Sequence, residues 1–381
     1  MQTRLFTPGP TPVPAELQLT MAAPLPHHRT PEFQQLFTRT TTLLQRIYRT
    51  EDPVVVLSAS GTGAMEAAVV NLTLPGEPVL AVNAGKFGAR WGELLRTYGR
   101  ALHEVRLPWG ESPDPEALRR AARMHGAGAI FITHSETSTG ALADLEAIAA
   151  VAHELDALLI VDAITSLGAH PVETRGWGLD CVLSGSQKAF MLPPGLAFLS
   201  LSARAQARIE GNPTPRFYFD LGRALAGAPK GQTPWTPAIS LVLGLEAACN
   251  RILDEGLERV WERHQILADA VRAGVAALDL PLLSARPSNA VTAVRVADRI
   301  GADAVRAGLW TRWGIKVAGG QDDFKGKLLR IGHLGAYDAA DIVLLLSALE
   351  AEVARRGHGV APGTALAAAH PVLQRLTPAD A

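Results

Sequence analysis

One feature limits most what this chain can fold into. Short, continuous apolar runs alternate with amphipathic helical ones through its first half. VVVLSAS precedes GAMEAAVVNL, PVLAVNA precedes KFGARWGELLRTYG, and GAIFITHS precedes LADLEAIAAVAHEL. ALLIVDA, CVLSGS and LAFLSLS follow. Runs such as ALLIV, apolar at every position, suit strands covered on both faces. Strands joined through helices fold by right-handed crossovers onto a mostly parallel sheet. The spacing therefore predicts an α/β architecture.

Near Asp254 the pattern changes. A long amphipathic helix, GLERVWERHQILADAVRAGVAAL, leads into AVTAVRV, a further helix, LLRIGHL and a last helix, DAADIVLLLSALEAEVARR. We expect an N-terminal arm over residues 1–30, a large unit over 31–253, a smaller one over 254–356 and a peripheral tail over 357–381. The arm carries TPGPTPVP and AAPLPHHRTPEF. It is read as extended, because proline fixes φ and disfavours helix in the residue before it. Helical patterning begins near Pro31 and lasts to about Arg49.

Composition narrows the partners. The net charge of −1 over 381 residues leaves no basic excess, and no Lys/Arg run suggests a nucleic-acid surface. The two cysteines, Cys181 and Cys249, cannot build a disulfide framework and fit a reducing compartment. The N-terminus shows no secretory h-region, and no apolar run reaches the ~18 residues a bilayer span needs. A soluble cytoplasmic protein acting on small, uncharged or zwitterionic partners is the expectation.

The stretch CVLSGSQKAFMLPPGLAFLSLS holds one charged side chain, Lys188. Lysine is seldom buried without a partner or a task, and burial lowers its pKa and frees its lone pair for attack. The plain alternative is a lysine that reaches solvent past a short strand. Four other strand ends carry comparable signals. SASGTGAMEAA opens a helix from a glycine-containing turn, an arrangement that binds phosphate. There Ser60 and Thr62 add hydroxyls, and Gly61 and Gly63 allow close approach; a tight turn is its plain alternative. ITHSETSTG offers hydroxyl residues, although Ser, Thr and Asp at the start of LADLEAIAAVAHEL would cap that helix anyway. LLIVDAITSLG ends a buried run on Asp162, a carboxylate that is costly there unless it meets a cation or strong donor, or else caps a loop. KLLRIGHLG sets Arg330 in an apolar strand, where it either grips a carboxylate with two prongs or pairs at a unit boundary. Together, a phosphate cradle, an acid for a cationic ring nitrogen, a desolvated lysine and a carboxylate-binding arginine fit one cofactor, pyridoxal 5′-phosphate.

At these residues the chain closely resembles the class V, fold-type I pyridoxal-phosphate aminotransferases. Within them it is most similar to the alanine–glyoxylate and serine–pyruvate aminotransferase branch. The resemblance spans about Phe6 to Leu349 and rests on TPGPTPVP, SGTGAMEAA, NAGKFG, THSETSTGAL, VDAITSLGA, SGSQKAFMLPPG and LLRIGHLG. It implies a large domain with a mostly parallel seven-stranded sheet between helices, plus a smaller α+β C-terminal domain. It implies that Lys188 forms the Schiff base and that Asp162 partners the pyridine nitrogen. Gln187, Ser60, Gly61 and Thr62 would hold the phosphate. Thr137 would lie by the ring hydroxyl, Ile164 under the ring and Phe87 on its other face, with Arg330 on the substrate carboxylate. Thr233 and Thr236, in GQTPWTPAIS, would complete the phosphate site of a neighbouring subunit, which makes a homodimer part of the implication. No metal is called for. Phe87 stands where the best-known relatives carry tryptophan, Thr137 where serine is usual, and Ala59 where a glycine precedes the cradle.

The implied reaction moves an amino group from alanine or serine to glyoxylate or pyruvate in two half-reactions. A cysteine desulfurase would need a cysteine on a mobile loop, and neither Cys181 nor Cys249 is so placed. A phosphoserine aminotransferase would need a second anion site, for which His28 and Arg29 are the candidates. A catalytically silent cofactor-binding module is the remaining alternative.

Overall fold

The computed structural model describes residues 3–376, so positions 1, 2 and 377–381 of the expected arm and tail lie outside it. The chain begins with β1 (Arg4–Phe6) and α1 (Ala15–Met21), then α2 (Pro31–Tyr48) and β2 (Val54–Leu57). Next come α3 (Gly61–Leu72), β3 (Pro78–Asn83), α4 (Lys86–Thr97), β4 (Ala101–Arg106), α5 (Pro115–His125) and β5 (Ala129–Thr133). A small hairpin of β6 (Ser135–Glu136) and β7 (Ala141–Leu142) precedes α6 (Leu145–Glu154), β8 (Leu158–Asp162), β9 (Cys181–Gly185) and β10 (Ala197–Leu201). Helices α7 (Ala203–Gly211), α8 (Leu221–Gly227), α9 (Ile239–Glu255) and α10 (Leu257–Ala277) follow. The remainder is β11 (Val291–Arg295), α11 (Ala302–Trp313), β12 (Ile315–Gly319), β13 (Leu328–Gly332), α12 (Ala339–Ala354) and α13 (Thr364–Leu373).

The seven-stranded sheet runs β2-β10-β9-β8-β5-β3-β4. Strand β10 is antiparallel to both neighbours, and the other strand pairs are parallel. This is the mostly parallel sheet between helices that the alternation predicts. Every residue of β5, β8 and β9 is buried, as continuous apolar runs require. Helix α3 and Trp91 of α4 pack in the core on one face. Helices α2, α6 and α9 pack in the core on the other. The four-stranded sheet, β1-β12-β13-β11, has its own core against α10, α11 and α12.

Two terminal segments differ from expectation. The arm is not extended throughout: AELQLTM, free of proline between Pro14 and Pro24, forms α1, and Pro14 takes the N-cap position. Its first strand joins the smaller sheet beside β12, with Phe6 fully buried, a burial worth about 1.5–3 kcal/mol. Part of the stretch read as a peripheral tail forms α13, whose Ala365, Ala369 and Leu373 are buried in the core that includes α10.

Candidate active site

Strand order puts the chemistry at one edge. Strands β2, β5, β8 and β9 are mutually parallel in direction, so the turns after them open at one end of the sheet. A cavity of about 180 Å³ lies there. Ser60, Gly61, Thr62, Phe87, Asp162, Ile164, Gln187 and Lys188 line it. Eight of the residues singled out from the sequence thus converge, from the segments after β2, β3, β8 and β9.

Lys188 is half-buried on the turn after β9. That turn is locked by Ser186, whose Oγ donates to the Pro193 carbonyl at 2.7 Å and accepts from the Leu196 N–H at 3.2 Å. The Lys188 Nζ donates to the carbonyl of Pro8 in the arm. Thr11 crosses the same turn, its N–H on the Gln187 carbonyl at 3.2 Å and its Oγ1 on the Lys188 carbonyl at 2.8 Å. Gly9 makes this crossing feasible. Its φ is +142°, and a Cβ there would stand 2.6 Å from Nζ. Burial pulls the amine pKa down to about 8; the Asp162 carboxylate opposes that and the Arg330 cation adds to it.

Asp162 ends β8 and is 3 % exposed. Its Oδ1 accepts from the Ile164 N–H at 2.9 Å, and its Oδ2 has only a long contact from Thr133 Oγ1 at 3.4 Å. Burial pushes its pKa up to about 6, against the Ile164 N–H. The carboxylate is therefore poised to pair with a cation brought into the cavity. At the other wall, α3 begins at Gly61 and the Ser60 side chain makes no capping bond. The free N–H groups of a helix N-terminus suit an anion. A Cβ at 61 would meet Ile164 Cδ1 at 2.5 Å, so any larger residue there must displace that side chain. Gln187 Oε1 is buried with no hydrogen-bond partner.

Arg330, on β13, is 8 % exposed. Its Nε donates to the Gly319 carbonyl at 2.7 Å and its Nη1 to the Thr137 carbonyl at 3.0 Å. Those bonds fix the guanidinium plane beside the hairpin turn, although neither Arg330 nor Thr137 lines the cavity itself. Thr233 and Thr236 are not brought to Lys188. They line a separate cavity of about 20 Å³ with Ser58, Tyr218 and Trp235, and Thr233 Oγ1 donates to the Trp235 carbonyl at 2.7 Å. Arg29 donates to Gln232 Oε1 and the Thr233 carbonyl at 3.1 and 3.2 Å, so the anion-binding candidate in the arm is engaged by that loop. Cys181 and Cys249 are buried thiols, with pKa values raised by that burial. Among the described residues no three His, Cys, Asp or Glu side chains converge to hold a metal.

Three residues at the site escaped the sequence reading. Arg90 and Ser135 line the cavity. Glu136 is 1 % exposed. Its Oε2 accepts from the Phe87 and Gly88 N–H groups at 3.0 and 2.8 Å, and its Oε1 accepts from Ser138. Asp144, at the start of LADLEAIAAVAHEL, caps α6 as its position suggests, whereas Glu136 of SETSTG caps α4. The available signal was a lone carboxylate in a run of small hydroxyls. For Arg90 it was the i+3 spacing from Phe87.

The residues present fit pyridoxal 5′-phosphate. An underused buried carboxylate oxygen, an amine shifted toward neutrality and an uncapped helix start face one cavity.

The chain is similar to known proteins over most of its length. The family model described as Aminotransferase class-V matches residues 19–327. The soluble hydrogenase small subunit of Synechococcus sp. (strain PCC 6716) is 43 % identical over 97 % of this chain and 98 % of its own length. The L-aspartate–glyoxylate aminotransferase of Paracoccus denitrificans is 35 % identical over 99 % and 98 %. The crystal structure of an alanine–glyoxylate aminotransferase from Nostoc sp. superposes with a TM-score of 0.88 at 31 % identity, covering 93 % of this chain and 96 % of that one.

Proposed function

This chain belongs to the class-V aminotransferases, and we propose that its Lys188 cleft uses pyridoxal 5′-phosphate to move an amino group from a small L-amino acid to a small 2-oxo acid. Alanine or serine is the donor in this reading, and glyoxylate or pyruvate the acceptor. The carrying observation is the convergence of Lys188, Asp162 and the start of α3 in one cavity.

Bound there, the cofactor would supply an electron sink that makes loss of a proton from the substrate Cα feasible. Ser60, Gly61, Thr62 and Gln187 would hold its phosphate, Asp162 would keep its ring nitrogen protonated, and Phe87 and Ile164 would enclose its ring. Lys188 Nζ, neutral in part near pH 7 because burial lowers its pKa, takes the Cα proton and hands it on as the amino group changes owner. Arg330 binds the substrate carboxylate with the guanidinium edge that its carbonyl contacts leave free. Thr137 stands beside it. Thr233 and Thr236, away from their own chain's cleft, would serve the partner subunit of a homodimer in the cytoplasm. Two sheets with separate cores support a division of the chain near residue 254.

The test is an absorbance titration of the purified protein with L-alanine, L-serine, L-aspartate and L-phosphoserine in turn. Bleaching by alanine or serine, reversed by glyoxylate or pyruvate, is expected. Bleaching only by phosphoserine would transfer the reading to a phosphoserine aminotransferase. A protein that binds the cofactor and responds to no donor would make it a silent module.

A further inference from the structure

Arg90 joins two walls of the cleft, and the mechanism above gives it no task. It lies on α4, three residues beyond Phe87 and on the same helix face. Its guanidinium carbon sits over the Phe87 ring, 4.9 Å from the centroid. Its Nη1 donates to Thr62 Oγ1 at 3.0 Å, the one hydrogen bond it makes among the described residues. Thr62 is the second residue of α3, so one planar group ties the aromatic side wall to the helix start. Its charge also lowers the pKa of Asp162. From behind, Glu136 holds the backbone of the same wall through the Phe87 and Gly88 N–H groups.

We propose that Arg90 is a positioning residue that locks the Phe87 ring and the first turn of α3 into one clamp, for the ring and the phosphate end of pyridoxal phosphate respectively. The inference rests on the cofactor reading of the Lys188 cleft. Its physical basis is the shape of guanidinium. The flat face covers an aromatic ring while an N–H at the edge donates in the plane, and an ammonium cannot do both in one position. The arrangement gives Phe87, smaller than the tryptophan of the best-known relatives, a fixed orientation that ring size alone would not.

The experiment titrates cofactor-free full-length protein with pyridoxal 5′-phosphate for the wild type, Arg90→Gln and Arg90→Lys. Affinity, visible circular dichroism of the bound cofactor and the melting temperature of the cofactor-free protein are recorded. Arg90→Gln should weaken affinity about tenfold, as loss of one cation–π contact and one charged hydrogen bond allows. The visible dichroism should shrink, because ring orientation is no longer fixed, and the cofactor-free melting temperature should stay put. Arg90→Lys should recover less than half of the affinity. Combined with Phe87→Leu, Arg90→Gln should cost less than the two single changes together. Wild-type affinity and dichroism in Arg90→Gln would overturn the proposal, as would a cofactor-free melting temperature that falls in step with affinity. A wild-type protein that binds no cofactor would overturn the reading of the cleft, and this inference with it.

Discussion

Replacing Asp162 with asparagine in the cofactor-free protein should push the Lys188 amine further toward neutrality. Burial holds its pKa at about 8, with the Asp162 carboxylate pulling upward and Arg330 downward. At pH 7 an amine of pKa 8 is roughly one-tenth neutral, against roughly 0.04 % for a lysine at the usual 10.4, a gain of about 230-fold in reactive form. Loss of a nearby opposite charge shifts such a group by about one pH unit or more. Asp162→Asn should therefore bring the midpoint to about pH 7 or below. A limiting amount of an amine-acylating reagent, followed by peptide mass spectrometry across the pH range, reads the neutral fraction directly. Accessibility alters the height of each profile and leaves its midpoint in place, and a free lysine derivative in the same reaction supplies the reference. A wild-type Lys188 profile that runs parallel to that of the free amine would refute the desolvation argument. A midpoint that rises in Asp162→Asn would refute the role given to the carboxylate.

Arg330→Lys should lower kcat/KM for the amino donor about 10- to 100-fold while cofactor affinity holds, since one charged two-pronged contact is lost; steady-state kinetics beside a cofactor titration measures both. Gly61→Ala places a methyl 2.5 Å from Ile164 Cδ1, forcing that side chain into the cavity. Cofactor affinity should fall about tenfold with little change in melting temperature. His134, His264 and His333 are buried, with pKa values lowered by that burial to about 4, 3 and 3. A depressed folded pKa contributes stability that is present above the unfolded value of 6.5 and lost as pH falls toward the folded value. Going from pH 7.5 to 5.5 should cost about 1.4 kcal/mol for each, or about 4 kcal/mol together. Urea unfolding at the two pH values measures the loss, and His264→Gln should reduce it by about 1.4 kcal/mol.

Periodicity and burial made much of this molecule legible in advance. A run such as ALLIV, apolar at every position, suits a strand covered on both faces, so the two-sided burial of β5, β8 and β9 followed from local pattern. Lys188 and Asp162 stood out for a related reason. A charge in an apolar run is costly wherever the run is buried, so its presence announces a partner or a task. The proline count of the arm misled, because proline acts on its own residue and the one before it and has no hold on AELQLTM. Other features arise from contacts that no local pattern encodes. Glu136 caps a helix about 50 residues earlier in the chain, Pro8 receives the Lys188 amine from 180 residues away, and Arg90 finds Thr62 across the cleft. Sequence determines which residues must be buried and which of those are expensive to bury. Only the packed sheet decides which of the expensive ones meet, because hydrogen bonds and charge contacts act over a few ångströms of space at any separation along the chain.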